Sequence, residues 1–410
     1  MITKKEVKTT YSNKIIHAAD IHWSPKHYLD IINPMKELIS RIIQEKPLFV
    51  CLTGDYFDHK IEINDNPLYI EAIKYLFEIS RHCKHLIILQ GTYNHDYKTM
   101  ETFYSTLEIF KKEFKNYFNN NINNIEGKEY NILDIENSYK NIYFFNQAKE
   151  INIEGFNFLM LPEEYPASPY DYYSPFIKEK EDNHFDFICG HGMINGCKMH
   201  DKVDNIKLKG FSFGIKDLER ITKKIVLFGH IHIPQKLGSK IYYCGSLART
   251  KYGEEHKKGF MQYTIDRDNN EHNIIDIEFV ETITATKYLT FTNQDFEELS
   301  KEEIIKKMED IKFIRFQGTK EDSKNEDLLE LFKKAGKDLE DIKFILEKKD
   351  ENEDINNIES NLLFKNIEEE PIKKQYLILL ETDIKKTKSK KDREKLQNKK
   401  MLEKIEILNI

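Results

Sequence analysis

Along the first hundred residues, short apolar runs alternate with longer stretches in which apolar positions recur at helical spacing. KIIHAAD is followed by the helix-like INPMKELISRIIQEK, then PLFVCLTGD, then the helix-like NPLYIEAIKYLFEISRHC, then KHLIILQG. The short runs read as β-rich and the periodic segments as helices. Strand, helix, strand, helix, strand predicts an α/β layered sheet. Each of the three strands ends in polar residues, Asp20, Asp55 and the Asn94-His95-Asp96 group. Open α/β sheets place their chemistry at the carboxyl ends of strands.

After a helical stretch through METFYSTLEIFKKEFKNYF come IYFFNQ, EINIEGFNFLMLP, DFICGHG, KIVLFGHIH, KIYYCGS and GFMQYTID. All are strand-like and closely spaced, which predicts a second sheet packed on the first. Around Ile283 to Lys287 the pattern changes. KYLTFT, a helix-like FEELSKEEIIKKMED, KFIRFQG, a helix-like KNEDLLELFKKAGKD and DIKFILEK predict a small α+β unit. The expected fold class is α/β, a two-sheet β-sandwich flanked by helices over residues 1–282, with the α+β unit over 283–350. The acidic, polar stretch at 351–360 reads as a linker. Residues 361–410 read as a C-terminal helix pair split by the basic KKTKSKKDREK. With little core of its own, the pair either docks on a partner or packs back on its own chain.

The 410 residues, 40% of them hydrophobic, suffice for one large core and one or two smaller domains. No window approaches the ~20 consecutive apolar residues of a spanning helix, and the opening residues run from polar positions straight into a strand, without the apolar core of a signal peptide. Of the five cysteines, Cys51, Cys189 and Cys244 sit inside apolar runs, as small buried hydrophobes. A reducing, cytoplasmic setting without a membrane is expected. Cys189 and Cys197 lack the C-x-x-C spacing of a zinc-thiolate site. The net charge of −7 argues against a protein held to nucleic acid by its overall field, so any DNA contact is local, metal-assisted or shared with a partner. No P-loop occurs, so any ATP dependence comes from a partner.

Five polar clusters carry the candidate chemistry: Asp20 with His22, Asp55 after Gly54, Asn94 with His95 and Asp96, His191 after Gly190, and His230 with His232 after Gly229. Taken singly, an Asp after a strand suits a helix cap and a His suits a satisfied core position. Taken together they supply oxygen from Asp and Asn, nitrogen from His and no sulfur, the ligand chemistry of manganese, iron or zinc. Each cluster follows an apolar β run, so rigid elements can hold the ligands on one edge of the sheets. Two ions ~3.5–4 Å apart need a bridging carboxylate and can clamp both the attacking and the leaving oxygen of a phosphoryl transfer. Asp55 is the natural bridge.

The ordered blocks D-x-H, G-D, N-H-D, G-H and G-H-x-H, from Ile15 to Asp266, resemble those of the calcineurin-like metallophosphoesterases. The resemblance implies that Asp20, His22, Asp55 and His232 hold a first divalent ion and that Asp55, Asn94, His191 and His230 hold a second. It implies that His95 contacts the scissile phosphate and assists the leaving oxygen, with Asp96 holding its ring. One departure stands out. The family reads G-N-H-D, whereas this chain reads Gly91-Thr92-Tyr93-Asn94-His95-Asp96. A simple two-residue bulge keeps Asn94 and His95 in place; a rebuilt loop displaces Asn94 as a ligand.

Within the superfamily, CLTGDYFDHK and YYCGSLARTKYGEEHKKGFMQYTID resemble the SbcD branch, the meiotic recombination nuclease of eukaryotes, with Gly245 and Ser246 near the site. The α+β unit resembles its DNA-capping domain. The branch implies a manganese-dependent (or magnesium-dependent) DNA exonuclease, with endonuclease activity open. It also implies docking of the C-terminal helices, through apolar positions such as Leu377, Leu380, Leu402 and Ile405, on the coiled-coil base of an SbcC-type ATPase. A homodimer in a two-plus-two complex follows from the family, with its contact at the first helices after Asp30 and Asn66. The alternative is the same metal site acting on a small phosphoester, a cyclic nucleotide or a phosphoprotein. A non-enzymatic scaffold is a third class, against which stands the presence of every ligand type.

Overall fold

A computed structural model describes residues 11–60, 67–96, 99–105, 141–198, 211–266, 273–309, 311–318, 326–337 and 342–346. The expected linker and C-terminal helix pair lie outside the described residues.

The chain builds two mixed six-stranded sheets. In the first, β1 (Lys14–Ala18), β2 (Phe49–Thr53), β3 (His85–Leu89) and β4 (Ile142–Phe145) run parallel, and β11 (Gly259–Ile265) and β12 (Ile274–Glu281) extend the β1 edge antiparallel. The second has the order β5 (Lys149–Ile153), β6 (Phe156–Leu161), β7 (Phe185–His191), β8 (Thr222–Gly229), β10 (Ile241–Tyr243), β9 (Gln235–Leu237). Its inner strands β6, β7, β8 and β10 are parallel.

Because both faces of each sheet are covered, the inner strands are apolar at successive positions, and strand alternation sorts those positions between two cores. Ile15, Phe49, Cys51, Ile87 and Leu89 point inward and meet Phe158, Met160, Phe187, Cys189 and Leu227 of the second sheet. Their neighbours Ile16, Val50, Leu52, Leu86 and Ile88 point outward onto α1 (Tyr28–Glu45) and α2 (Pro67–His82) through Met35, Leu38, Ile42, Leu76 and Ile79. The outer face of the second sheet is covered by helices Pro169–Ile177 and Ile215–Ile221. The result is the four-layer α/β/β/α sandwich.

Those last two helices correct the sequence reading, which took the stretch between β6 and β8 as strands alone. Parallel strands require a crossover, and a helix is its usual form. A second correction concerns FEELSKEEIIKKMED, read as one helix. The chain forms two, Asn293–Glu298 and Lys301–Met308, because Ser300 accepts the Glu303 N–H while the Glu303 side chain accepts the Ser300 N–H, a capping box that starts a new helix.

A third, three-stranded sheet, β13 (Tyr288–Thr292), β14 (Phe313–Gly318) and β15 (Ile342–Leu346), has its own core of Phe291, Ile304, Ile314, Phe316, Leu331 and Phe332. It is tied to the sandwich through the segment after β10. Glu255 accepts the Thr290 N–H at 2.8 Å, and the Arg315 guanidinium lies 5.1 Å over the Tyr252 ring. Among the described residues, no helix is long and apolar enough to cross a membrane.

Candidate metal centre

The parallel strands β1, β2 and β3 end side by side, and so do β6, β7 and β8 across the sandwich. The polar residues that follow them therefore meet at one edge. Four of these, Asp20, His22, Asp55 and His230, have left-handed backbone at φ 52°, 56°, 51° and 91°. Such conformations are costly for residues with a Cβ and persist where surrounding bonds over-determine them. Here the bonds are mutual. Asp20 N–H donates to Gly54 O, Ile21 and His22 N–H both donate to Asp55 O, and the Asp20 carboxylate accepts the His230 N–H with both oxygens at 3.0 Å. Gly54 is required at its place. Its φ is 92°, and a Cβ there would run into the His191 ring.

Two groups of ligand atoms result. Asp20, His22 and His232 offer one, with the Nε2 atoms of His22 and His232 3.0 Å apart. Asp55, His191 and His230 offer the other, with His191 Nε2 3.3 Å from Asp55 Oδ2. Asp55 faces both, its Oδ2 lying 4.0 Å from His22 Nε2. Six of the seven expected ligands are thus brought together, and Asp55 stands between the two groups.

The seventh is not. Asn94 is exposed on a single helical turn, Tyr93–Asp96, and makes no hydrogen bond to either group. The two-residue insertion does not bulge away harmlessly. It moves Asn94 outward and leaves Thr92, the residue directly after Gly91, beside Asp55. Thr92 N–H donates to Asp55 Oδ1 at 2.6 Å, and Thr92 Oγ1 lies 3.1 Å from Asp55 Oδ2. Asp96 is placed beside the strand ends. Its buried carboxylate accepts the N–H groups of Phe57 and Gly91, each at 2.9 Å, and so staples the β2 and β3 loops together rather than holding the His95 ring. The ring is held instead by the backbone carbonyl of Asp58, which contacts His95 Nδ1. A ring nitrogen of His95 lies within 4.8 Å of ligand atoms of His22 and Asp55.

Three carboxylates join the centre that the sequence reading did not single out. Asp58 Oδ1 is 3.6 Å from His22 Nδ1. Glu254 contacts His232 Nδ1 and receives Lys258 Nζ at 3.4 Å. Glu163, just past β6, lies between His191 and His230. The signal for Glu163 was in the chain, since it follows an apolar β run as the other ligands do. Asp58 and Glu254 sit in loops, without that signal.

Charge in the centre is strongly perturbed. Burial works against the charged form of Asp55, but the His191 ring beside it outweighs burial and holds the carboxyl well below the usual carboxylate range. Burial and then the neighbouring His232 push His22 down to about 3, so its ring is neutral and able to ligate. Burial, followed by the proximity of Asp55, lifts Asp20 above its ordinary value. Two buried carboxylates facing one another need cations to compensate them. His22 Nδ1 and His230 Nδ1 are buried without a hydrogen-bond partner. Burial works against a charge on the His191 ring, but Asp55 outweighs burial and pushes it up to about 10, so His191 gives up a proton when it binds an ion; oxygen and imidazole donors are the ligand chemistry of first-row divalent ions.

Residues 13–234 match the family model of the calcineurin-like phosphoesterases. The chain is a calcineurin-like phosphoesterase. This phosphoesterase is a metal-dependent phosphoester hydrolase, and its family is typically dinuclear. A solved structure resembles it at 12% identity, with 65% of this chain and 98% of that chain covered and a TM-score of 0.34, a likeness too slight to carry weight. No curated protein matches the phosphoesterase.

Proposed function

We propose that this phosphoesterase is a DNA nuclease subunit of the SbcD type, cutting phosphodiester bonds with manganese and working with an SbcC-type ATPase in the processing of DNA ends. The observation that carries this reading is the third sheet. It is joined by Tyr252, Glu255 and Arg315 to the same segment whose Glu254 holds the His232 ligand. A duplex needs such an extra wall beside the centre to position it; a small phosphoester does not. The ATPase would dock on the C-terminal helices, two copies of each chain making the assembly, in the cytoplasm around the nucleoid.

Asp20, His22, Asp55 and His232 would hold one ion, and Asp55, His191 and His230 the other. When bound, the ions supply a water activated near neutral pH and positive charge for the phosphoryl oxygens. His95, its Nδ1 fixed by Asp58 O, presents its other nitrogen to the leaving 3′-oxygen and delivers the proton there. Asp96 keeps the loop that carries His95 against β2.

The test is cleavage of labelled linear duplex and single-stranded DNA by the purified chain with manganese, magnesium or chelator, beside His95→Ala and a generic phosphodiester. Manganese-dependent DNA cleavage lost in His95→Ala is expected. Turnover of the generic ester with no DNA cleavage, even with a cognate ATPase added, would overturn the nuclease reading and leave a phosphatase on the same site.

A further inference from the structure

We infer that Glu163, positioned by Thr92, completes the ligand set of the second ion in place of the displaced Asn94. The inference rests on the chain being a metal-dependent hydrolase and is independent of whether DNA is its substrate.

Glu163 Oε2 lies 3.0 Å from Thr92 Oγ1, 3.4 Å from His230 Nδ1 and 3.5 Å from His191 Nε2. Asp55 Oδ2 lies 3.1 Å from the same Thr92 Oγ1 and 3.3 Å from the same His191 Nε2. A divalent ion with bonds of about 2.1 Å sets adjacent ligand atoms about 3.0 Å apart at right angles and about 3.4 Å apart at tetrahedral angles. The five observed separations fall at or beside these values, so Glu163 Oε2 stands at ligand spacing from His191 and His230, two members of the second group.

The Thr92 hydroxyl has one proton to offer to two carboxylate oxygens. His230 Nδ1 faces the same carboxylate, 3.4 Å from Glu163 Oε2. Two carboxylate oxygens and two imidazole nitrogens converge there, the donor set of a divalent ion. Glu163 is also held in place from outside, by the Tyr165 hydroxyl donating to its other oxygen, Oε1, at 2.7 Å, which leaves Oε2 turned to the cluster. A carboxylate in place of a neutral amide adds one negative charge to the second site, which favours a hard divalent ion.

The experiment is manganese binding to the metal-free full chain, by equilibrium dialysis with elemental analysis, for the parent, Glu163→Gln, Glu163→Asp and Asn94→Ala. The parent and Asn94→Ala should each bind two ions with similar affinity. Glu163→Gln should keep one ion and bind the other roughly tenfold or more weakly, with Glu163→Asp between the two. The retained first ion reports that the variant is folded. Two ions bound by Glu163→Gln as tightly as by the parent, or one ion lost in Asn94→Ala, would overturn the assignment. A parent chain that binds no manganese, zinc or iron would overturn the metal-hydrolase reading with it.

Discussion

Glu254 faces Nδ1 of His232, and the opposite nitrogen of that ring lies 3.0 Å from His22 Nε2. A carboxylate behind a ligating imidazole fixes both its tautomer and its aim. Burial works against the Glu254 charge, but the His232 contact and Lys258 hold its carboxyl well below the ordinary range, so it stays an acceptor at neutral pH. Glu254→Gln should therefore weaken the first ion, and turnover with it, by roughly 10- to 100-fold. Manganese titration of turnover on a generic phosphodiester checks this, and an unchanged titration would place Glu254 outside the centre.

Asp96 gives a way to separate holding a loop from handling a proton. Asp96→Asn turns an amide N–H toward one of the two backbone N–H donors, leaving it unpaired at a cost of about 1–3 kcal/mol. The urea midpoint should fall. Lost activity with an unchanged midpoint would instead return Asp96 to the role of orienting His95.

Much of this architecture was legible in the chain. The runs that became β1, β2, β3, β7 and β8 each carry a stretch of apolar residues and the ligands stand at their ends, so the centre could be read from strand ends. Asn94 was left open, because the two residues inserted between Gly91 and Asn94 allow either a bulge that keeps it in place or a rebuilt loop that displaces it. Glu163 obeyed the strand-end rule but stood outside any familiar motif. Helices Pro169–Ile177 and Ile215–Ile221 are short and cap only one face of a sheet, which leaves a weak periodic signal.

His17, on β1, is fully buried, with Nε2 2.8 Å from Thr53 Oγ1, and burial pushes it down to about 3. Unfolding restores its ordinary value of 6.5, so the unfolded chain takes up a proton there that the folded chain refuses. Its contribution is fully present above pH 6.5 and is lost as pH falls toward 3, at roughly 1.4 kcal/mol per pH unit. Compared with His17→Gln, the parent should lose stability more steeply between pH 6 and 4, about one proton's worth, in denaturant unfolding. Parallel acid limbs would contradict this.

Phe187 fills the inter-sheet core against Phe49, Phe156 and Phe158, with ring centroids 5.0 Å from Phe158 and 5.3 Å from Phe156. Phe187→Ala should lower unfolding free energy by about 3–5 kcal/mol. Manganese bound per folded molecule should stay at the parent level, because the Phe187 ring packs against Phe49, Phe156 and Phe158 in the inter-sheet core. A metal-binding defect in the folded variant would show that the core sets the site geometry.

Anomalous diffraction from crystals of the full chain grown with manganese tests whether two ions share Asp55 as their bridge. Two peaks should flank the Asp55 carboxylate, one against Asp20, His22 and His232 and the other against His191 and His230. A single peak, or two peaks with Asp55 contacting neither, would contradict the bridge.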